Sequence, residues 1–308
     1  MNLDKLTVNI KPLTAYQAMD LGMAVARTYY GDLWRLWWRA CVSFGGVCVL
    51  PLLVFTINGL SDKTFIDTAF GVVYGGAYAY FVSIKLPKFF RKGIFWHTLI
   101  SIVSMLIFAI LDVDDQAKML LVMGLIFISK PLFERPLLLY LSQKLFDKDY
   151  QINDLSDEFK GLGFGYLRGR ISLQRMMSMP VYLLENQSGK FLKSRLKTLT
   201  RNQSGAIHLH GLFFMVAEVV LAVCGMILLD TVISVRVEDG LPMTVFMVMV
   251  VWAYLFAVAL LAPFYVASGF VMYLCKRSLL EGWDIELVFR KLAYRYQSQA
   301  KKRSELHE

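Results

Sequence analysis

Cysteine is scarce in this sequence, and no two cysteines have the spacing of a metal-binding pair. The four are Cys41, Cys48, Cys224 and Cys275, each inside or at the end of an apolar stretch. That distribution excludes a disulfide framework and a zinc knuckle, and it predicts buried free thiols. Catalytic signatures are missing as well: there is no GxxxxGK[ST] phosphate loop, no HExxH pair and no Ser, His and Asp set. The first 38 residues have no continuous apolar core and carry Asp4, Lys5, Lys11, Asp20, Arg27, Asp32 and Arg35, which argues against a cleavable signal peptide. No internal repeat survives comparison, so an inverted-repeat transporter has no support.

Apolar residues are abundant: 56% of the 308 residues are hydrophobic against 19% charged, with a mean hydropathy of +0.50. They come in blocks, which is the pattern of a multi-pass membrane protein rather than a soluble domain. A hydrocarbon core of about 30 Å takes about 17 to 25 helical residues. Six stretches qualify: Ala40 to Ile57, Thr68 to Ile84, Gly93 to Leu111, Met119 to Phe133, Ile207 to Leu229 and Met243 to Tyr273. In the fourth, the apolar stretch ends at Ser129, and Lys130-Pro131 follows. It either snorkels Lys130 to the interface or is a broken, re-entrant helix. The sixth is too long for a bilayer, so it kinks at Pro263 and Gly269 or its last turns leave the membrane. The expected fold is an all-α integral membrane bundle of about six spans with interfacial and cytoplasmic amphipathic helices.

Charge placement orients the chain, because cytoplasmic segments near spans are enriched in Lys and Arg. The connections after spans one, three and five hold only Lys63, Lys118 and Arg236, so thirty of the thirty-three basic residues fall on the other side. Both termini are therefore expected on the cytoplasmic side of the membrane. The pI of 9.3 follows from topology and affinity for anionic lipid, with no need for nucleic acid.

The expected organisation is an interfacial amphipathic helix over 1–38, spans one to four over 39–133, a basic cytoplasmic helical region over 134–205, spans five and six over 206–275, and a cytoplasmic helix and tail over 276–308. In the first piece, Tyr16, Met19, Met23, Ala26, Tyr30, Leu33 and Trp37 recur at steps of three and four as one helical face. Thr14 and Gln17 make a capping-box start. In the basic region, Pro131 to Phe146 reads as an amphipathic helix. Arg170 to Met179 and Gly189 to Thr200 read as short basic helices separated by Pro180 and the turn Asn186 to Gly189.

Candidate chemistry is sparse. Glu218 is the single carboxylate inside a predicted span, and its burial points to proton coupling, a polar substrate contact or an inter-helix lock. His208 and His210 are two apart on a helix, so they diverge and do not share a metal; together with His97 they read as interfacial side chains. The loop Gly161 to Arg170 fails as a dinucleotide fingerprint because Arg168 replaces its third glycine. Its amides with Arg168 and Arg170, and the basic connection with Lys85, Lys88, Arg91 and Lys92, are candidates for phosphate or anionic lipid. Glu281, Trp283, Asp284 and Glu286 lie within six residues after the last span. Their helical spacing splits the acids, Glu286 pairs favourably with Arg290, and two apolar lines need covering, so the segment reads as a packing or partner surface rather than a catalytic pair. No metal or cofactor site is expected.

Four stretches in order, TAYQAMDLGMAVARTYYGDLWRLWW, SKPLFERPLLLYLSQKLF, PVYLLENQSGK and RSLLEGWDIELVFRKLA, resemble a family of uncharacterised bacterial multi-pass inner-membrane proteins. Its members are typically encoded beside MoxR-type AAA ATPases, von Willebrand A-domain proteins and transglutaminase-like membrane proteins. Its membrane architecture is similar to the membrane domain of some glycerophosphodiester phosphodiesterases, whose catalytic domain is absent here. The resemblance implies a non-enzymatic component of an envelope-associated assembly, with protein partners and no catalytic residues to assign. The alternative is a transporter or lipid-handling protein that uses Glu218 in a central polar cavity.

Overall fold

A computed structural model describes residues 13–41, 115–146, 150, 172–234 and 243–282. Among the described residues there are seven helices and no strand. They are α1 (Ala15–Thr28), α2 (30–41), α3 (Asp115–Lys144), α4 (Arg175–Leu184), α5 (Gly189–Thr200), α6 (Ser204–Ser234) and α7 (Met243–Glu281). Two are long and apolar enough to cross a membrane: Ser204–Val232 of α6, with mean hydropathy 2.7, and Met249–Glu281 of α7, with mean hydropathy 2.1. The predicted spans Thr68 to Ile84 and Gly93 to Leu111, and the first span beyond Cys41, lie outside the described residues.

α7 is the central post of the molecule. Its 39 residues form one helix through Pro263 and Gly269, about 58 Å at 1.5 Å per residue. Small residues let neighbours approach it closely. A Cβ on Gly22 of α1 would lie 2.3 Å from the Ser268 Cα, and one on Gly269 would lie 2.7 Å from the Met176 Cβ of α4. The two contacts use adjacent residues of α7, about 100° apart around its axis, so helices seat on two sides at one level.

α6 runs antiparallel to α7. His210 meets Ser268, Phe214 meets Tyr265 with ring centroids 5.4 Å apart, and Gly225 faces Ala253. Its other side exposes Leu212, Phe213, Val216, Val219, Val220, Val223 and Ile227. An apolar face of that length is costly in water and favourable in hydrocarbon.

The α1–α2 arm forms the expected N-terminal helix in two pieces. It packs antiparallel along α7: Gly22 sits at Ser268, Tyr30 donates to the Leu260 carbonyl at 3.3 Å, and the Trp34 ring lies 5.9 Å from Phe256. The buried face of α1 is Ala15, Ala18, Gly22, Val25 and Ala26, while Tyr16 is exposed. Of the predicted face, Ala26, Leu33 and Trp37 are buried, whereas Tyr16 is exposed and Ala15, Ala18 and Gly22 line the contact instead. Close helix contact favours the small ones, and Ala18, Gly22 and Ala26 at intervals of four form the groove. The capping box forms as expected, with Gln17 N donating to Thr14 Oγ1 at 3.4 Å and Thr14 N donating to Gln17 Oε1 at 3.1 Å.

α3 corrects two further expectations. It is one helix through Pro131 and Pro136, so Pro131 to Phe146 is not a separate amphipathic segment. The stretch 133–142 is buried throughout, and packing against α7, α2 and α4 outweighs the two lost backbone hydrogen bonds. Lys130 does not snorkel to an interface but is 3% exposed. Pro180 likewise lies inside α4 and separates nothing, while the turn after α4 forms as expected, with Asn186 at φ 53° and Gly189 at φ 60°. Of the cysteines, Cys41 and Cys275 are buried thiols, Cys224 is exposed on α6, and Cys48 lies outside the described residues.

Candidate functional site

Four charged side chains from three helices meet in the interior. Lys130 and Glu134 lie one turn apart on α3, with Nζ and Oε1 3.8 Å apart. Arg175, the first residue of α4, donates from Nη2 to Glu134 Oε1 at 3.0 Å. Glu218, at the midpoint of the apolar stretch Ser204–Val232, is ion-paired with Lys130 and 1% exposed. Two cations balance two carboxylates, the arrangement that makes charge tolerable where water is excluded. The ring of Tyr265 on α7 completes the cluster, with Lys130 Nζ 5.3 Å and Arg175 Cζ 5.1 Å from its centroid. Cations over an aromatic face gain a further attraction when desolvated.

A second polar contact extends the cluster along α6 and α7. The Ser268 hydroxyl lies 2.6 Å from the Phe264 carbonyl and 2.6 Å from His210 Nε2. A hydroxyl has one proton; donated to the carbonyl, it leaves Oγ as the acceptor for His210 Nε2–H. That tautomer leaves Nδ1 bare, and Nδ1 has no hydrogen-bond partner among the described residues, as is also true of Glu134 Oε2. His210 is stacked on Tyr265 with centroids 5.5 Å apart, so it is buried and not the expected interfacial side chain. His208 points elsewhere, to the Ser204 carbonyl at 2.7 Å, so the two diverge as their spacing predicts. His97 lies outside the described residues.

Another network joins the end of α4, the middle of α5 and the last turns of α7. Arg195 of α5 forks onto Glu185, with Nε to Oε2 at 2.8 Å and Nη2 to Oε1 at 3.1 Å, and reaches Glu281 Oε1 at 2.5 Å. Tyr273 OH donates to Glu185 Oε1 at 2.8 Å, and Arg277 Nε holds Glu281 Oε2 at 2.9 Å. Burial alone would push the Glu185 carboxyl up. The hydrogen bonds from Arg195 and Tyr273 and the charges of Arg195 and Arg277 outweigh it and hold the group below the ordinary carboxylate range.

Of the residues singled out from sequence, Glu218 and Glu281 are described, and each is an ion-pair partner between helices. Trp283, Asp284, Glu286 and Arg290 lie outside the described residues, as do Arg168, Arg170, Lys85, Lys88, Arg91 and Lys92. Sequence reasoning missed Lys130, Glu134, Arg175 and Tyr265. The signal for Glu134 is its position one turn after Lys130, obscured because the predicted span ends at Phe133 and leaves Glu134 outside it. Among the described residues, no group of three or more His, Cys, Asp or Glu side chains is placed to hold a metal ion. The described fold is thus all-helical, with two helices long and apolar enough to cross a membrane and a charge-balanced cluster between them and α3. No known protein family, curated protein or solved structure matches this chain.

Proposed function

We propose that this chain is a non-enzymatic, multi-pass component of an envelope-associated protein assembly in a bacterial inner membrane. In this reading it has about six spans and both termini in the cytoplasm, and it docks partner proteins through its cytoplasmic helices. The observation that carries it is the use made of the acids at helix contacts, two of them, Glu134 and Glu218, fully buried. Glu134, Glu218, Glu185 and Glu281 each join one helix to another through Lys130, Arg175 or Arg195. Acid–base catalysis needs a carboxylate facing a substrate-sized space, and coupled transport needs one that exchanges protons with water. The pairing of Glu218 with Lys130 at mid-helix supports an inter-helix lock. The start of α1 lies beside Gln203, Met272 and Leu279, at the end of α7 that adjoins α5, and its outward polar residues Gln17 and Asp20 are the surface this reading assigns to partners.

The test is purification of the full chain in mild detergent after cross-linking in native membranes. Recovery of defined protein partners, lost when Gln17 and Asp20 are both changed to lysine, is the expected result. A monomer without partners after cross-linking would overturn the docking role.

A further inference from the structure

We infer that α5 is a surface helix that binds the headgroups of anionic phospholipid through one basic stripe, an inference that rests on the membrane reading above. Between Glu185 and Glu218 the sequence holds no acid. Within that interval, Lys190, Lys193, Lys197 and Arg201 are all exposed. At 3.6 residues per turn they fall within about 80° of arc. Arg195 is the exception that defines the inner side: it is turned in to Glu185 and Glu281, and Leu192, Leu196 and Leu199 face the body with it. None of the four outward cations forms an ion pair with another described residue.

The position of the helix selects the partner. A three-residue turn, Arg201 to Gln203, leads from α5 into the apolar helix α6, and Arg195 reaches Glu281 at the last turn of α7. Because α6 and α7 are antiparallel, the start of one and the end of the other lie at the same end of the pair. α5 therefore stands where both membrane-crossing candidates leave the hydrocarbon. At that level the outward stripe meets phosphate, and Phe191, 76% exposed beside it, has an apolar boundary to enter. An exposed phenylalanine flanked by lysines is unfavourable against water alone and favourable at a headgroup layer.

The experiment uses the full chain in two kinds of nanodisc, pure phosphatidylcholine and equimolar phosphatidylcholine with phosphatidylglycerol. Acetylation of Lys190, Lys193 and Lys197, followed by mass spectrometry, reads headgroup contact without any mutation. Slower modification in the phosphatidylglycerol discs is expected. In a second measurement, the variant carrying K190Q, K193Q, K197Q and R201Q should bind phosphatidylglycerol more weakly in detergent, by about five-fold per residue removed and on the order of 100-fold or more together. Equal acetylation rates in the two discs would overturn the assignment, as would protection of these lysines by an acidic partner protein and not by phosphatidylglycerol. Release of the wild-type chain from membranes by carbonate would instead overturn the membrane reading itself.

Discussion

Lys130 and Glu218 show how context decides what a charge does. Losing either one leaves a buried cluster with one excess charge, and removing one partner of a buried pair costs about 3 to 5 kcal/mol, whereas replacing both with apolar residues is often neutral or stabilising. Lys130→Met and Glu218→Leu should therefore each lower thermal stability in detergent, while the double variant should return toward wild type. A double variant no more stable than the singles would show that the pair does more than compensate charge. Gly22 is constrained by space alone. An added methyl meets the Ser268 Cα at 2.3 Å and the Ala267 carbonyl oxygen at 2.9 Å, both backbone. Gly22→Ala should cost about 1 to 3 kcal/mol by forcing α1 off α7. Gly31→Ala, with nothing within 4 Å of the new methyl, should be neutral or stabilising by roughly 0.5 to 1 kcal/mol. The midpoints of denaturant melts compare the two.

At the scale of elements, Glu185 ties α4, α5 and α7 together, and its charge sets the pH range of that tie. Its folded pKa lies below the ordinary 4.5, so between the two values the unfolded chain binds more protons. The stabilisation is complete above pH 4.5 and is lost as the pH falls through the folded value. Limited proteolysis around Ser188 should accelerate in that acidic window. Glu185→Gln should raise cleavage at neutral pH and flatten the profile, and an unchanged profile would show that the tie does not depend on this charge. The helices themselves were largely legible: the capping box announced α1, and the turn at Asn186 to Gly189 separated α4 from α5. Two prolines, Pro131 and Pro180, misled as boundaries. Pro131, Pro136 and Pro180 all lie inside helices, because burial on several sides outweighs one lost hydrogen bond apiece.

The whole molecule places a long apolar face outward along α6 and a charge-balanced cluster inward. Val220, exposed near the middle of α6, separates two environments. In a bilayer, Val220→Lys should cost about 2.5 to 3.5 kcal/mol of apparent insertion free energy. In water the same change would improve solubility, so the amount of protein retained in carbonate-washed membranes distinguishes the two. Composition and blockwise hydropathy alone determined that the chain is helical and apolar enough to cross a membrane, since these depend on local pattern and length. The two lone histidines, His208 and His210, were correctly separated by helical geometry. Only the tertiary structure decided what Glu218 faces, which side of α1 is buried and what holds Glu281. Each depends on residues distant in sequence: Lys130 for Glu218, Ser268 for Gly22, and Arg195 for Glu281. Helical periodicity shows which side chains share a face, but a buried charge and a close-packed glycine take their meaning from the neighbour across the interface.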